Sequence, residues 1–554
     1  TLRDIYRAYA VHPQTMSSVA FWNARKKQKR NPQVHFQLKD PRTLIIRQKH
    51  IHGDNTFQNF TPAGRWQYAV PVECLQSVVD TCDSRGWEVV PFPDIVQEAL
   101  DRAVNKPFDD AFKDTHLWQC MFPYQREGVM DVVRRKNGRA LIGDEMGLGK
   151  TLQAIAIYKY YNHTKLLVIC PAYLRYNWRH EIEKWVPGTE TTIISTGKDP
   201  LDGVLPLIIS YELAASKSKE LAKMKFDMVV CDESHYMKSH KTKRTKGITP
   251  LVKNIPHALL LTGTPCLNRP IELFPQMHML YPKFFPKYKQ FAERYCDGKM
   301  SPMGFYDDSG ISNNFELTWY VRKIALIRRV KRDVLTDLPP KRRTELYLQL
   351  TKKEIKPMLP KFDKWKDLNA RIPHMVPCSD EVKKAAFERK ALIAELFRNT
   401  CEAKANVVKK VVKDMVEQGL KFIVFCYHKL LLDEVESVCN SFIRIDGDTP
   451  QKKRQDLVDR FQNGDAQVAV LSLLAASTGL TLTASSIVLF AELYFVPGTI
   501  LQAEDRVHRI GQTSMCDIRF IIAKGGLDEH LWKMVHHKLQ TLDCALDGRA
   551  DRTI

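Results

Sequence analysis

The chain has 554 residues, 44% of them apolar, and carries 84 Lys and Arg against 63 Asp and Glu, a formal net charge of +21. This length predicts two or three large domains, and the basic excess favours either contact with a polyanion such as nucleic acid or a merely soluble basic surface. The 13 cysteines form no Cys-x-x-Cys pair and no apolar run approaches the ~20 residues of a membrane span, which excludes a disulfide framework, a zinc knuckle and a membrane-spanning segment. We therefore expect a soluble, intracellular protein without zinc.

The N-terminal part of the chain predicts a basic segment over residues 1–35 and a small α+β module over residues 36–112. Residues 25–30 (Arg-Lys-Lys-Gln-Lys-Arg) fit a nuclear-import signal, a DNA-contacting arm or a solvated linker. The module rests on a strand at Thr43–Arg47 and a helix at Val72–Asp83. Because the chain begins with Thr instead of Met, we expect it to be a piece of a longer product.

Short apolar runs alternate with helical stretches between residues 138 and 265, which predicts a first α/β lobe over residues 115–290. Continuous apolar strands separated by helices are typical of a parallel sheet that is covered on both faces. The predicted strands are Ala140–Ile142, Leu166–Ile169, Leu207–Ser210, Met228–Cys231 and Leu259–Thr262.

A glycine-rich turn follows the first of these strands, where residues 144–151 read Asp-Glu-Met-Gly-Leu-Gly-Lys-Thr. Gly147 and Gly149 allow backbone N–H groups to face phosphate oxygens at the start of a helix, whose dipole also favours negative charge. Lys150 supplies a cation for the β- and γ-phosphates, and Thr151 offers a hydroxyl to Mg²⁺. The opening aspartate stands where the general phosphate-loop pattern has glycine, so a turn without a ligand is the alternative.

An acidic pair follows the strand Met228–Cys231, at the edge of the sheet where α/β proteins bind ligands. Asp232 can hold the Mg²⁺ that Thr151 touches, and Glu233 can polarise the water that attacks the γ-phosphate, although such a pair is often only a helix cap. Upstream, the amide of Gln125 suits the amino group and N7 of adenine, which would select ATP; an ordinary surface glutamine is the alternative.

The chain from 270 to 400 is rich in Lys, Pro and helix formers and lacks a comparable strand series, which predicts a helical insertion and connector over residues 291–400. A second strand series then predicts a second α/β lobe over residues 401–540, with a C-terminal tail at 541–554. Its predicted strands are Phe422–Cys426, Ile443–Ile445, Val468–Leu471, Ile487–Phe490 and Phe520–Ile522.

Two arginines near the end of the second lobe, Arg506 and Arg509, are three residues apart and are expected on one helical face. Guanidinium groups match phosphate geometry and keep their charge. We assign both to the γ-phosphate as arginine fingers from the second lobe, so that hydrolysis depends on closure of the two lobes. A basic helix face that binds solvent or DNA is the alternative.

From residue 115 to 540 the chain resembles the Swi/Snf-type ATPases of helicase superfamily two. The matching motifs, in the family's order, are Gln125, the phosphate loop, Pro171–Leu174 with Trp178, Asp232–His235, Leu261–Pro265, Arg328–Val334 with Leu338 and Pro339, Ile445–Gly447, Ser477–Thr481 and Gln502–Gln512. The resemblance implies an α/β fold of two tandem RecA-like parallel-sheet lobes with helical Swi/Snf-type insertions, beside the small N-terminal α+β module. It also implies a DNA-dependent ATPase that uses ATP and Mg²⁺, and the family's own loop carries aspartate where this chain has Asp144.

The same resemblance assigns the site residues. The predicted catalytic residues are Lys150, Asp232, Glu233, Arg506 and Arg509. The predicted nucleotide-binding residues are Gln125, Asp144, Glu145, Met146, Gly147, Leu148, Gly149, Lys150, Thr151 and Gly479, with Thr151 and Asp232 holding Mg²⁺. The predicted DNA contacts are Pro171, Trp178, Ser210, Tyr211, Thr262, Thr264, His428, Gly447 and Thr481. Hydroxyls and backbone amides bind the phosphates of DNA and do not distinguish one base from another. DNA binding should therefore be sequence-independent and sensitive to salt.

Finer likenesses favour the annealing-helicase, or HARP-type, branch of the family. Residues 398–404, 443–447 and 490–498 are similar to that branch, and the N-terminal module, with Gly64-Arg65-Trp66, resembles a HARP domain. The resemblance implies a nuclear protein that moves on duplex DNA at forks or single/double-strand junctions, rewinds strands or regresses forks, has a single-strand DNA-binding protein as a possible partner, and contacts no membrane. A nucleosome remodeller and a non-catalytic DNA-binding scaffold are the alternatives.

Overall fold

The computed structural model describes residues 33–40, 43–49, 57, 60–64, 67–71, 75–85, 87–90, 106–265, 269–300, 306–335, 337–372, 379–474 and 480–547. Outside the described residues lie the basic run 25–30, Arg65, Trp66, Gly479 and the last residues of the predicted tail. The chain divides into two compact units, Thr1–Pro107 with Ile311–Ile324, and Phe108–Gly310 with Ala325–Ile554.

The smaller unit contains a five-stranded sheet with strand order β3-β4-β2-β1-β5, in which β5 runs parallel to β1 and the other pairs are antiparallel. The strands are β1 (Gln33–Asp40), β2 (Thr43–Lys49), β3 (Thr61–Gly64), β4 (Gln67–Pro71) and β5 (Glu88–Val90), and the helices are α1 (Leu75–Ser84) and α11 (Asn314–Ile324). The predicted α+β module is therefore confirmed. Its last helix, which packs against β1, comes from the part of the chain that was predicted to be connector.

The first lobe of the larger unit contains a seven-stranded sheet, all of whose strand pairs are parallel, in the order β14-β6-β11-β10-β7-β9-β8. Its strands are β6 (Arg139–Ile142), β7 (Leu166–Cys170), β8 (Thr192–Ile194), β9 (Leu207–Ser210), β10 (Met228–Asp232), β11 (His257–Leu261) and β14 (Leu326–Ile327). All five predicted strands are present. The sequence did not predict β8 and β14, because runs of three and two residues are too short to show a period.

Nine helices accompany this sheet in the described part of the first lobe. They are α2 (His116–Gln119), α3 (Pro123–Arg134), α4 (Lys150–Tyr160), α5 (Arg175–Trp185), α6 (Tyr211–Ser216), α7 (Ser218–Lys223), α8 (Lys243–Asn254), α9 (Leu273–Leu280) and α10 (Tyr288–Tyr295). Every residue of β7 and β10 is buried, as expected for central strands that are covered on both faces. A short antiparallel hairpin, β12 (Lys299–Met300) with β13 (Tyr306–Asp307), follows α10.

The second lobe contains a six-stranded parallel sheet with the order β15-β20-β19-β16-β18-β17. Its strands are β15 (Lys341–Gln349), β16 (Phe422–Cys426), β17 (Phe442–Ile445), β18 (Val468–Ser472), β19 (Ile487–Phe490) and β20 (Cys516–Lys524). The helices from the end of β14 onward are α12 (Lys331–Val334), α13 (Lys352–Ile355), α14 (Leu359–Arg371), α15 (Asp380–Glu417), α16 (Lys429–Glu436), α17 (Gln451–Asn463), α18 (Pro497–Glu504) and α19 (Asp528–Asp547).

The predicted connector, 291–400, is not purely helical. It supplies β14 to the first sheet, and β15 pairs along its full length with β20 at the edge of the second sheet. The burial of β15 alternates between half-buried and exposed positions, as in an edge strand, so it lacks the continuous apolar run that marks the other strands. The helical part of the connector includes α14 and the start of α15, a helix of 38 residues that continues past residue 400.

Two further predictions concern the whole chain. Within the described segments, no helix combines the length and hydropathy that crossing a membrane requires. Every cysteine that the structure describes is a free thiol, and all of them except Cys120 are buried. The buried cysteines act as small core residues, as the sequence predicted.

Candidate active site

The phosphate loop runs from the end of β6 to Lys150, the first residue of α4. Its two glycines adopt left-handed backbone conformations, with φ of +80° at Gly147 and +73° at Gly149, which other residues rarely allow. Lys150 Nζ donates hydrogen bonds to the carbonyl oxygens of Asp144 (3.0 Å) and Glu145 (3.3 Å). The backbone of the loop therefore surrounds the ammonium group of Lys150 at the N-terminus of α4. This arrangement is suited to binding an anion.

Asp144, the residue that departs from the general phosphate-loop pattern, is fully buried and binds the chain that follows β14. Its Oδ2 accepts hydrogen bonds from Arg329 Nη1 at 3.0 Å and from Gln153 Nε2 at 2.9 Å. Its Oδ1 accepts a hydrogen bond from the backbone N–H of Arg329 at 3.0 Å. The aspartate thus fastens the outer strand of the sheet to the loop, a contact that a glycine could not make.

Gln125 lies directly against the phosphate loop. Its Nε2 donates a hydrogen bond to the carbonyl oxygen of Leu148 (3.0 Å), and its Oε1 accepts one from the backbone N–H of Phe122 (2.9 Å). The side chain is 3% exposed and is fixed to the loop by these bonds, and its contact with a base stays a prediction. Of the other predicted loop residues, Met146 is buried, and Thr151 is half-buried in the first turn of α4.

Asp232, the last residue of β10, is held by donors from three elements. Trp178 Nε1 donates a hydrogen bond to its Oδ2 (2.9 Å), and the backbone N–H of Glu233 donates one to its Oδ1 (2.9 Å). The hydroxyl of Tyr211 donates a hydrogen bond to its carbonyl oxygen (2.7 Å). Glu233 itself has a left-handed backbone, φ +51°, which turns the chain sharply at the sheet edge.

The pKa values of the Asp232 and Glu233 carboxyl groups are shifted in opposite directions. Burial, followed by the neighbouring charge of Glu233, raises the pKa of Asp232. Burial also raises the pKa of Glu233, but the hydrogen bond and charge of His235, together with Lys150 and Arg506, bring it below its ordinary value. Burial lowers the pKa of Lys150, and the nearby carboxylates oppose that effect. The predicted catalytic groups therefore share one electrostatic environment.

Arg506 and Arg509 were predicted to lie on one face of a helix, and this prediction is wrong. The helix α18 ends at Glu504, and both arginines follow it in a series of turns. They nevertheless lie at the phosphate loop of the first lobe: a Cβ added to Gly147 would come within 3.3 Å of Arg509 Cβ. Arg509 Nη1 donates a hydrogen bond to Thr481 Oγ1 (2.8 Å), and Arg506 Nε is buried without a hydrogen-bond partner among the described residues. The structure thus brings the predicted halves of the site together across the two lobes.

The predicted DNA contacts differ between the lobes. In the second lobe, Gly447 is exposed and His428 and Thr481 are half-buried. In the first lobe all six are buried: Pro171, Trp178, Ser210, Tyr211, Thr262 and Thr264. Their burial does not fit side-chain contacts with DNA. Trp178 and Tyr211 instead hold Asp232, Ser210 caps α6, and Thr262 Oγ1 lies 3.0 Å from His235 Nδ1. Trp178 and Tyr211 pack behind the acidic pair. Their spacing along the sequence could not reveal this position.

Three side chains in the described part of the chain, Cys401, His428 and Glu492, have potential metal-ligating atoms within 4.8 Å of one another. Glu492 Oε1 lies 2.5 Å from His428 Nδ1, and its Oε2 accepts hydrogen bonds from the backbone N–H groups of Tyr427 and His428. Burial raises the pKa of Glu492, but His428 and the ammonium of Lys404 bring it below its ordinary value. These contacts explain the cluster as a support for His428, and we assign no metal to it.

Comparison with known proteins agrees with this arrangement. Residues 124–371 match the SNF2-related domain, and residues 403–511 match the helicase conserved C-terminal domain. A Caenorhabditis elegans protein named as a homolog of SWI/SNF-related matrix-associated actin-dependent regulator of chromatin subfamily A-like protein 1 is 38% identical over 506 residues, which are 88% of this chain and 71% of that protein. The chain belongs to the Swi/Snf family, in its annealing-helicase branch. These matches confirm both the family and the fold class that were predicted from the sequence.

Two vertebrate relatives are longer than this Swi/Snf chain. The Xenopus tropicalis protein named subfamily A-like protein 1 is 39% identical over 508 residues, 88% of this chain and 52% of its own length. The mouse protein named DNA annealing helicase and endonuclease ZRANB3 is 40% identical over 452 residues, 78% of this chain and 41% of its own length. The chain therefore spans about half the length of these curated relatives.

Proposed function

We propose that this Swi/Snf chain is a nuclear ATP-dependent DNA translocase that rewinds strands and regresses forks during genome maintenance. The observation that carries the proposal is the contact between the two lobes at the phosphate loop. Arg509 of the second lobe lies against Gly147 of the first, and the charge of Arg506 acts on Glu233. An ATPase whose site is completed by its second lobe changes shape as nucleotide binds and leaves, and this motion drives translocation.

The chain's own residues suit hydrolysis of ATP. Lys150 and the N-terminus of α4 bind the β- and γ-phosphates, and Glu233, ionised beside His235, accepts a hydrogen bond from the attacking water. As the water oxygen bonds to the γ-phosphorus, the bond to the β-phosphate oxygen breaks and ADP and phosphate form. Arg506 and Arg509 offset the negative charge that develops on the γ-phosphoryl group.

A divalent cation fits the same site. The structure buries Asp232 beside the charge of Glu233, and this raises the pKa of Asp232, an unfavourable interaction that a cation would offset. Mg²⁺ held by Asp232 and Thr151 would neutralise charge on the β- and γ-phosphates. Binding of ATP and binding of the metal should therefore be coupled.

The DNA substrate is proposed from charge and from the names of the relatives. The net charge of +21 favours a polyanion, and His428, Gly447 and Thr481 of the second lobe lie at or near the surface. The mouse relative is named an annealing helicase, which favours forks and single/double-strand junctions over linear duplex. A single-strand DNA-binding protein that coats the separated strands would be a natural partner at such junctions.

The test compares ATP hydrolysis by the purified chain in the presence of forked DNA, linear duplex, single strands and nucleosomes. We expect stimulation to be strongest with forks. Lys150→Ala, Glu233→Gln and Arg509→Ala should each lower turnover by at least about 100-fold while DNA binding stays within threefold. Arg460→Ala, which removes a half-exposed arginine of the second lobe, is the matched control and should keep wild-type turnover.

The outcomes separate the alternatives. Stimulation by nucleosomes alone would favour a chromatin remodeller. DNA binding without any ATP hydrolysis by the wild-type chain would favour a scaffold. Wild-type turnover in Lys150→Ala would overturn the assignment of the loop.

A further inference from the structure

A single lysine, Lys331, lies between the two halves of the candidate site. It is the first residue of α12, which begins after the short link 328–330 that follows β14, and its side chain is 3% exposed. Its backbone N–H donates a hydrogen bond to Glu145 Oε2 at 2.7 Å, which fixes it to the phosphate loop. The backbone N–H of Glu145 in turn donates a hydrogen bond to the carbonyl oxygen of Arg329 at 2.9 Å.

The side chain of Lys331 crosses to the second lobe. Its Nζ lies 2.7 Å from Asp505 Oδ1, and it also donates a hydrogen bond to the carbonyl oxygen of His508. Asp505 is 7% exposed, so both members of the ion pair are removed from water. A buried ammonium is tolerated only when its partners are in place, so the pair favours the arrangement in which the lobes are in contact.

Each of the two acceptors of Lys331 directly precedes an arginine of the second lobe. Asp505 precedes Arg506, and His508 precedes Arg509. A Cβ on Gly147 would lie 3.3 Å from Arg509 Cβ and 3.7 Å from Lys331 Cε, so the lysine, the arginine and the loop glycine meet at one point. The contacts of Lys331 therefore fix the turn that carries both arginines at a set distance from the loop.

We infer that Lys331 is a positioning residue that aligns Arg506 and Arg509 on the γ-phosphate by binding the turn that carries both arginines. The inference rests on the proposed ATPase function. Lys331 acts through the arginines: its ammonium is satisfied by the second lobe and is not needed to hold nucleotide on the loop. The loss of this alignment should therefore lower kcat and leave the KM for ATP nearly unchanged.

The test uses Lys331→Met, which keeps most of the length of the side chain and removes the charge, and Asp505→Asn, which removes the partner. We expect each to lower the kcat of DNA-stimulated ATP hydrolysis about 10- to 100-fold, the size expected for a misplaced catalytic group, with KM for ATP changed by less than about threefold. Because both variants break the same contact, the double variant should be no more than about threefold slower than the slower single variant.

The matched control is Lys136→Met. Lys136 is also 3% exposed and pairs with Asp131 at 2.8 Å, but within the first lobe alone. This variant should lower the melting temperature and keep wild-type kcat, which separates a general loss of stability from a loss of alignment.

Three results would overturn the inference. They are a wild-type kcat in Lys331→Met, a change in KM without a change in kcat, and a loss of kcat in the double variant that equals the product of the two single losses. If Lys331→Met does not fold, Asp505→Asn alone decides. A wild-type chain that hydrolyses no ATP with any DNA would instead reject the proposed function, so the two failures are distinguishable.

Discussion

Replacing Asp144 with asparagine should loosen the phosphate loop while preserving its shape. The buried Asp144 carboxylate accepts hydrogen bonds from the side chains of Arg329 and Gln153 and from the backbone of Arg329. Breaking a buried ion pair by removing one partner costs ~3–5 kcal/mol. Because the Arg329 side chain is 13% exposed and keeps some contact with water, we expect about 2–3 kcal/mol for local opening of the loop.

Native-state hydrogen exchange measures this effect where it arises. In Asp144→Asn the amides of residues 143–151 and 326–331 should exchange about 30- to 150-fold faster than in the wild type, since 1.4 kcal/mol corresponds to a factor of ten. Asp465→Asn, which removes an exposed partner of Arg460, should change exchange nowhere in these segments. Exchange in Asp144→Asn within threefold of wild type would refute the view that this aspartate fastens the loop.

Three further changes test the site. Gly147→Ala places a Cβ at φ +80° and 3.3 Å from Arg509 Cβ, so steady-state turnover should fall about tenfold or more; unchanged turnover would contradict the close approach of the lobes. Burial raises the pKa of Asp232 to about 6 when no cation is bound, so the affinity for Mg²⁺ should weaken as the pH drops through about 6. The loss of affinity should move to higher pH in Trp178→Phe, which removes a hydrogen-bond donor to Asp232; the same pH dependence of Mg²⁺ affinity in both proteins would oppose this. Despite burial, Arg343 and Lys341 lower the pKa of Glu504 from 4.5 to about 2, so its stabilising effect is present above pH 4.5 and is lost as the pH falls toward 2. Thermal unfolding of Glu504→Gln should lack this part of the acid dependence.

The motifs that a nucleotide requires could be predicted from the sequence because each depends on local geometry. The phosphate loop needs glycines at left-handed positions, and the acidic pair needs a buried strand that ends at the sheet edge. Gly147, Gly149 and Asp232 occupy those places in the structure. The buried strands were predicted for the same reason, since continuous apolar runs such as Phe422–Cys426 have few other uses in a globular chain.

The rest of the site depends on contacts between distant segments, which no local pattern encodes. Trp178 resembles a surface residue of a DNA-tracking motif by its place in the sequence, but its indole N–H is taken by Asp232, which lies on another element. The basic stretch that contains Arg329 and Lys331 matched a family motif without suggesting its partners, Asp144 and Asp505. Four cations among residues 328–332, with Asp333 as the single neighbouring acid, were the available sign that partners lay elsewhere.

The edge strand β15 also determines how the protein can be divided for experiments. A fragment that starts near residue 401, where the motifs of the second lobe resume, would lack Lys341–Gln349 and would expose the backbone of β20 as an open sheet edge, available for pairing with other chains. It would also leave Glu504, whose side chain is 1% exposed, without Lys341 and Arg343. A fragment of the second lobe should therefore start before Lys341. It then keeps β15 paired with β20 and keeps the ion pairs of Glu504 with Lys341 and Arg343.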